Sequence, residues 1–293
     1  MEVAVFGTSV QSDFIPVLKQ FFQHLHQSSV RIDLFEPFRK FLISEMGYDP
    51  PWNQLFFSHE DLTNQVEYIF SVGGDGTFLH SFLTIRNFNI PIIGVNSGRL
   101  GFLADISSEQ IIDGLTSILQ GKYQVIERSL LKVNLHGSPD VDFNYALNEM
   151  TVSKTDTSSM IVIHAWINGE YMNSIWADGL IIATPTGSTA YSLSVGGPIL
   201  APDSSDFVIT PIAPHNLTVR PIVVPDHYEL LLKVEGRSNQ YRISLDSRSF
   251  SIDLATTISI KKADFRLKTL HLPEQTFYYT LRNKLMWGAD KRN

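Results

Sequence analysis

The sequence predicts two domains of different class, a doubly wound α/β domain followed by an all-β domain resembling a sandwich. Three observations lead there. Residues 1–125 alternate short apolar runs with stretches of helical periodicity, whereas from Tyr123 onward the chain is almost entirely strand-like. The closing stretch 274–288 turns helical again. At 293 residues and 43% hydrophobic content, the chain has enough apolar material for two cores.

VAVFG at 3–7 is a strand ending in glycine, and DFIPVLKQFFQHLHQ at 13–27 repeats apolar residues at helical spacing, with Pro16 tolerable in its first turn. RIDLFE (31–36), VEYIFSV (66–72) and IPIIGV (90–95) read as further strands. SSEQIIDGLTSILQG (107–121) reads as a helix with a serine cap and a terminal glycine. Strands alternating with helices form a parallel, Rossmann-like sheet whose ligands sit beyond the carboxyl ends of the strands. The later runs LLKVNLH, MIVIHAWING, GLIIAT, FVITPIA, YELLLKVEG, QYRISLDS and TTISIKKAD are rich in branched and aromatic residues and punctuated by Gly, Pro, Asn and Asp. These are the marks of two packed sheets. The expected domains are 1–125, joined by the returning helical tail 273–293, and 126–272.

Net charge is −7 with a pI near 5.7, which argues against a surface built to coat nucleic acid. The absence of cysteine excludes disulfides, thiolate metal sites and a cysteine nucleophile. No apolar stretch approaches the roughly 20 residues that span a bilayer, and no signal segment precedes EVAVF. The expectation is a cytoplasmic protein that engages neither nucleic acid nor membrane.

Two stretches carry chemistry. SVGGDGTFLH (71–80) sets Gly73, Gly74 and Gly76 around Asp75 after a strand, with Thr77 opening a helix-like run. Such a turn brings its amides close to an anion, and the helix start favours phosphate. It has neither the lysine of a Walker loop nor GxGxxG spacing. WADGLIIATPTGSTAYSLSVGGPIL (176–200) places Asp178 at the head of a strand and then a turn dense in hydroxyls, suited to a ligand rich in heteroatoms.

With NSGRLGFLAD (96–105) and NEMTVSK (148–154), these stretches make the chain similar to the NAD kinases, which phosphorylate NAD to NADP. The resemblance covers nearly the whole length, with GGDGT, NSGxLGF, the Asn-Glu pair and DGLxxxTPTGSTAYxxSxGGP in the family's order, and LRNKLMWG closing the chain. It implies Asp75 as the catalytic carboxylate, with Gly73, Gly74, Gly76 and Thr77 on the donor phosphates. Asn148 and Glu149 are expected to hold the adenine and ribose of NAD, Asp178 to help place the dinucleotide, and Thr189, Ala190, Tyr191 and Ser194 to lie along it. Phe102 is expected near the adenine, where an aromatic ring stacks on a flat base. ATP as phosphoryl donor, a divalent cation (Mg2+) carried mainly by the nucleotide, and a homo-oligomer, tetramer or dimer, are implied in the same way. One departure stands out: where the family often has Asp-Gly, this chain has Asp246-Ser247-Arg248. A non-glycine residue there disfavours positive φ, so that loop is left out of the expected site.

The rival readings are a lipid kinase of the diacylglycerol or sphingosine type, which shares the GGDGT turn, and a non-catalytic dinucleotide sensor. The first needs an apolar cleft, against which the hydroxyl-dense turn argues; the second has no need of Asp75. An oxidoreductase lacks support, because no GxGxxG follows the first strand.

Overall fold

The computed structural model describes residues 1–98, 101–139, 141–155 and 160–288. The chain divides into two compact units, Met1–Ile126 with Lys268–Asn293, and Glu127–Leu267.

The first unit is organised by one sheet. From edge to edge its strands are Gln54–Phe56, Arg31–Phe35, Glu2–Gly7, Val66–Gly73, Ile92–Asn96, Leu267–His271 and Gln124–Arg128, with the short Ala104–Ile106 beside Ile92–Asn96. Pairing is parallel from Gln54–Phe56 through to Leu267–His271. Glu2–Gly7 is buried throughout, as a parallel strand covered on both faces must be. The helix Ile15–Gln27 buries Leu18, Phe21, Phe22 and Leu25, the i, i+3, i+4, i+7 stripe of an amphipathic helix. Phe21 meets Phe70 edge-on at 5.2 Å between centroids. The chain first builds outward from Glu2–Gly7 and then crosses back to lay Val66–Gly73 on its other side. That reversal creates a switch point between the two strands, the place where an open α/β sheet takes its ligand.

Several elements of this unit escape the sequence reading, the strands Gln54–Phe56, Ala104–Ile106 and Gln124–Arg128 among them, and two more are instructive. The helix Glu36–Met46 carries Pro in its first turn and ends at Gly47 with φ +60°, both standard boundary signals. The strand Leu267–His271 belongs to this first sheet rather than to the β-rich stretch 126–272 in which it was expected. Its alternating apolar residues suit either sheet, and only long-range pairing decides. Asp33 on Arg31–Phe35 is fully buried, and neither carboxylate oxygen has a hydrogen-bond partner among the described residues. Burial, with the neighbouring Glu2 charge, pushes it up to about 6.

The second unit is a sandwich of two six-stranded antiparallel sheets. One runs Ile222–Pro225, Asp206–Ile212, Gly179–Ala183, Glu149–Lys154, Gln240–Leu245, Arg248–Asp253. The other runs Glu170–Ala177, Ile161–Ile167, Leu230–Glu235, Thr257–Lys262, Leu131–His136, Tyr145–Ala146. Their inner faces share one core, in which Val152, Leu180 and Ile243 of the first pack with Ile163, Leu232 and Ile258 of the second. On the outer face of the first sheet Ile181, Ala183 and Val208 form a small separate cluster with Val195 and Leu200. That cluster seats the segment that follows Gly179–Ala183, including the short helix Tyr191–Ser194. The expected helical tail is present as Phe277–Leu285. Among the described residues no helix is long and apolar enough to cross a membrane.

Candidate active site

The strand Val66–Gly73 ends at the switch point and passes through Gly74 into the helix Asp75–Ile85. Among the described residues no side chain caps this helix, and the Phe78 N–H donates to the Gly74 carbonyl at 3.1 Å as its opening bond. The preceding amides, those of Asp75, Gly76 and Thr77, have no carbonyl one turn earlier in the helix to accept from them, and the dipole adds positive potential there. Beside them lies a cavity of about 280 Å³ lined by Ser9, Gln11, Gly74, Asn96, Ser97 and Gly98. Its walls come from the ends of three adjacent strands, Glu2–Gly7, Val66–Gly73 and Ile92–Asn96. Thr77 Oγ1 is 3.2 Å from Thr8 Oγ1, which ties the helix start to the first strand's end. Thr8, Gln11 and Asn96 were not singled out in the sequence, although Asn96 stands in the quoted NSG.

Asp75 is the first helical residue, and its carboxylate is ringed by donors. Phe102 N–H donates to Oδ2 and Leu103 N–H to Oδ1, each at 3.1 Å. Lys284 Nζ, from the helix Phe277–Leu285, stands 3.1 Å from Oδ2. Gly101 lies so close that a Cβ there would sit 2.0 Å from Asp75 Oδ1, which accounts for the glycine of LGF in physical terms. Phe102 is half-buried; the Lys284 ammonium lies 4.5 Å from its ring centroid and Phe277 lies 6.5 Å away.

Of the residues read as dinucleotide-binding, Asn148 and Glu149 meet the segment that carries Thr189, Ala190, Tyr191 and Ser194 in the second unit, whereas Phe102 belongs to the first unit and Asp178 stands at the other end of the ladder, beside Lys154. Asn148 and Glu149 open the strand Glu149–Lys154 and are both buried. The Thr184 N–H donates to the Asn148 carbonyl at 2.9 Å and the Thr184 hydroxyl to the Leu147 carbonyl at 2.5 Å. Gly187 packs on the same backbone: a Cβ there would come within 2.0 Å of the Asn148 oxygen. Burial pushes Glu149 up to about 8, the Asp246 charge adds to the rise, and the Tyr191 amide opposes it by donating a hydrogen bond. Its Oε2 is buried with no hydrogen-bond partner among the described residues.

Asp246 supplies the support beneath this pair. Its Oδ1 accepts from Asn148 N–H at 2.7 Å and Glu149 N–H at 3.2 Å, and its Oδ2 from Leu147 N–H at 2.9 Å. Burial raises the Asp246 carboxyl, while these amides and the Arg248 charge pull it down. The expectation that a non-glycine loop would stay clear of the site is therefore corrected. The loop does adopt positive φ, at Asp246 itself with +52°; aspartate tolerates that region better than most residues because its short side chain bonds locally.

Most hydroxyls of the TPTGSTAY turn are occupied by the fold. Ser188 Oγ donates to the Pro185 carbonyl at 2.7 Å and accepts from Leu200 N–H at 2.9 Å. Thr186 Oγ1 takes a hydrogen bond from Arg128 at 3.2 Å, and Ser192 Oγ pairs with Thr210 Oγ1 at 2.9 Å. Thr189 Oγ1 donates back to the Thr186 carbonyl at 3.2 Å. The outward surface is left to Tyr191 and Ser194, which are exposed, and to the half-buried Thr189 and Ala190. Asp178 pairs with Lys154 Nζ at 2.7 Å and is 37% exposed.

Comparison with known proteins identifies this combination. The model of the ATP-NAD kinase N-terminal domain matches residues 39–123, and that of the ATP-NAD kinase C-terminal domain matches 147–272. An NAD kinase of Flavobacterium psychrophilum is 48% identical, with all of both chains aligned. Those of Bacteroides fragilis and Cytophaga hutchinsonii are 42% and 41% identical over the same full extent. Among solved structures, yeast NADH kinase complexed with NADH superposes with a TM-score of 0.87 at 22% identity, over 99% of this chain and 89% of that one. An Archaeoglobus fulgidus NAD kinase in complex with ATP gives 0.73 at 26%, over 98% and 99%. The chain thus belongs to the ATP-NAD kinase family.

Proposed function

We propose that the chain transfers the γ-phosphoryl group of ATP to the 2′-hydroxyl of the adenosine ribose of NAD, making NADP. The observation that carries this reading is a carboxylate, Asp75, at an uncapped helix start beside a strand-end cavity. Phosphoryl transfer asks the protein mainly for positioning and electrostatic stabilisation. The amides of Gly74, Gly76 and Thr77 supply donors for triphosphate oxygens, with Gly73 setting the turn. Asp75 supplies the base: a ribose hydroxyl is a poor nucleophile until a positioned group takes its proton.

The acceptor is assigned to Asn148, Glu149, Asp178, Thr189, Ala190, Tyr191 and Ser194, with Phe102 offering an aromatic face to the adenine. A Glu149 that keeps its proton at neutral pH presents an O–H donor as well as an acceptor, which suits a hydroxylated or heterocyclic partner. A divalent cation bound with the triphosphate spreads charge over the transferring group. The protein's donors fit a cation held mostly by nucleotide: among the described residues no three His, Asp or Glu converge, and Mg2+ typically takes one or two carboxylates plus phosphates. Asp75 is the carboxylate nearest that duty.

A homo-oligomer accords with the exposed apolar residues on the outer strands of the sandwich, Tyr171 and Trp176 on Glu170–Ala177, Ile222 and Val223 on Ile222–Pro225. Sedimentation showing a fully active monomer would reject it. A cytoplasmic setting suits a fold that uses no disulfide. The decisive test of the activity is a donor-by-acceptor matrix, ATP and polyphosphate against NAD and NADH, with diacylglycerol as a control acceptor. Turnover of ATP with NAD alone or with NADH as well supports the reading; turnover confined to the lipid rejects it.

A further inference from the structure

The phosphate turn has no lysine of its own, but the fold brings one to it. Lys284 lies more than 200 positions downstream of Asp75 in sequence, yet its Nζ stands 3.1 Å from Asp75 Oδ2. The same ammonium lies 4.5 Å from the centroid of Phe102. One cation therefore touches both the carboxylate and the aromatic ring assigned to the reaction. The contact is poised to move. Side-chain exposure is 30% for Lys284 and 31% for Asp75, and so exposed a pair is weakly held. The helix that bears it, Phe277–Leu285, buries only Leu281.

We propose that Lys284 is the cation of the phosphate site, delivered by the C-terminal helix. Its ammonium occupies the Asp75 carboxylate and the Phe102 face, and passes to the phosphates of the nucleotide as these enter. The exchange follows from charge. An arriving triphosphate would be repelled by Asp75 alone, whereas an ammonium between the two attracts it and has three donors, of which the bond to Asp75 Oδ2 uses one. Once Lys284 has moved, Oδ2 loses one of its donors and the ring loses its cover, so the base and the stacking face become available together. Nucleotide thus prepares the acceptor side of the site through one side chain. The inference rests on the assignment of ATP to the 73–77 turn, and its test is arranged so that the two fail differently.

The experiment uses the full chain with Lys284→Met and Lys284→Arg, and Lys284→Gln in case the methionine variant folds poorly. The probes are inorganic tripolyphosphate binding by calorimetry, NAD binding, and steady-state kinetics in ATP and NAD. Loss of a charged hydrogen bond predicts that Lys284→Met weakens tripolyphosphate and raises the KM for ATP by about tenfold or more. NAD affinity measured without nucleotide should not fall and should rise if anything, because the variant uncovers the Phe102 face, and Lys284→Arg should recover most of the loss in tripolyphosphate binding, since it keeps the charge. A merely structural helix contact would shift thermal stability and both KM values together, with no separate loss of tripolyphosphate. Lys284→Met and Lys284→Gln both binding tripolyphosphate like the parent would overturn the proposal. If instead the parent itself fails to use ATP with any nicotinamide dinucleotide, the functional assignment fails first.

Discussion

Asp75 and Glu149 are both carboxylates assigned to one reaction, yet their surroundings are opposites. Asp75 stands at an open strand end, a third exposed, with two amides and an ammonium around it. Glu149 is walled in at the start of a sandwich strand, with Asp246 for a neighbour and one oxygen unpartnered. The first setting surrounds the carboxylate oxygens with hydrogen-bond donors. The second penalises charge, by desolvation and by a like neighbour. The comparison teaches that, in the reaction proposed above, the fold would separate two tasks: charged phosphate and proton abstraction in the α/β unit, and a polar acceptor in the β unit, where burial disfavours charge on Glu149.

The largest expected effect breaks the first member of the comparison. Asp75→Asn keeps shape and removes the base, so kcat should fall by about 10²–10⁴-fold, with calorimetric NAD affinity within a few-fold on the same folded sample. Retention of more than about a tenth of normal turnover would exclude the general-base role, and recovery on raising magnesium would assign Asp75 to metal placement.

Next comes the support of the second member. Asp246→Ala leaves the amides of Leu147, Asn148 and Glu149 without their acceptor, so denaturant unfolding should report a loss of roughly 2–4 kcal/mol. The KM for NAD should rise more than that for ATP. An equal rise in both would show that the hairpin serves the whole chain and not the acceptor surface.

Asp178→Ala tests the far end of the same strand pair, where Asp178 meets Lys154. Removing one charged hydrogen bond should raise the KM for NAD by about tenfold, with a much smaller change for ATP. Movement confined to the ATP dependence would assign this carboxylate to the donor instead.

The last test sharpens the contrast through pH. Folded Glu149 keeps its proton up to about pH 8, whereas an unfolded glutamate releases it near about pH 4.3. Between those values the folded chain binds the extra proton, so this group's contribution to stability is complete below about pH 4 and is lost as pH rises through 8. Thermal unfolding of the parent, relative to Glu149→Gln, should therefore fall progressively between about pH 5 and 8. A difference that does not vary with pH would mean that Glu149 is ionised in the folded chain.

Much of this was legible in sequence for a physical reason: elements with strong local signals need no distant partner to declare themselves. The helix Ile15–Gln27, the strand leading into GGDGT and the Asn-Glu pair are of that kind. The rest depends on contacts across the chain. Lys284 looked like one basic residue in a helical tail, and its position beside Asp75 exists only after folding. Asp246 was set aside on its φ preference, because the amides that reward that conformation lie 97 to 99 positions away. The hydroxyls of TPTGSTAY read as ligand donors because composition counts groups and cannot show which are already satisfied. The helix Glu36–Met46 was different: its proline and glycine boundaries were visible and were overlooked.

The strand Leu267–His271 gives the order in which this molecule is completed during synthesis. It stands between Ile92–Asn96 and Gln124–Arg128, so the first sheet stays incomplete until nearly the entire chain has left the ribosome. Glu127–Leu267, by contrast, is a continuous segment that has all of its own sandwich strands earlier. The later segment in sequence is thus free to close first, while in the nascent α/β sheet Ile92–Asn96 has only the short Ala104–Ile106 beside it on that side, leaving part of its edge open to pairing with another chain. A ribosome that stops short of residue 267 releases that open edge, and the final strand acts as the seal that marks a finished enzyme.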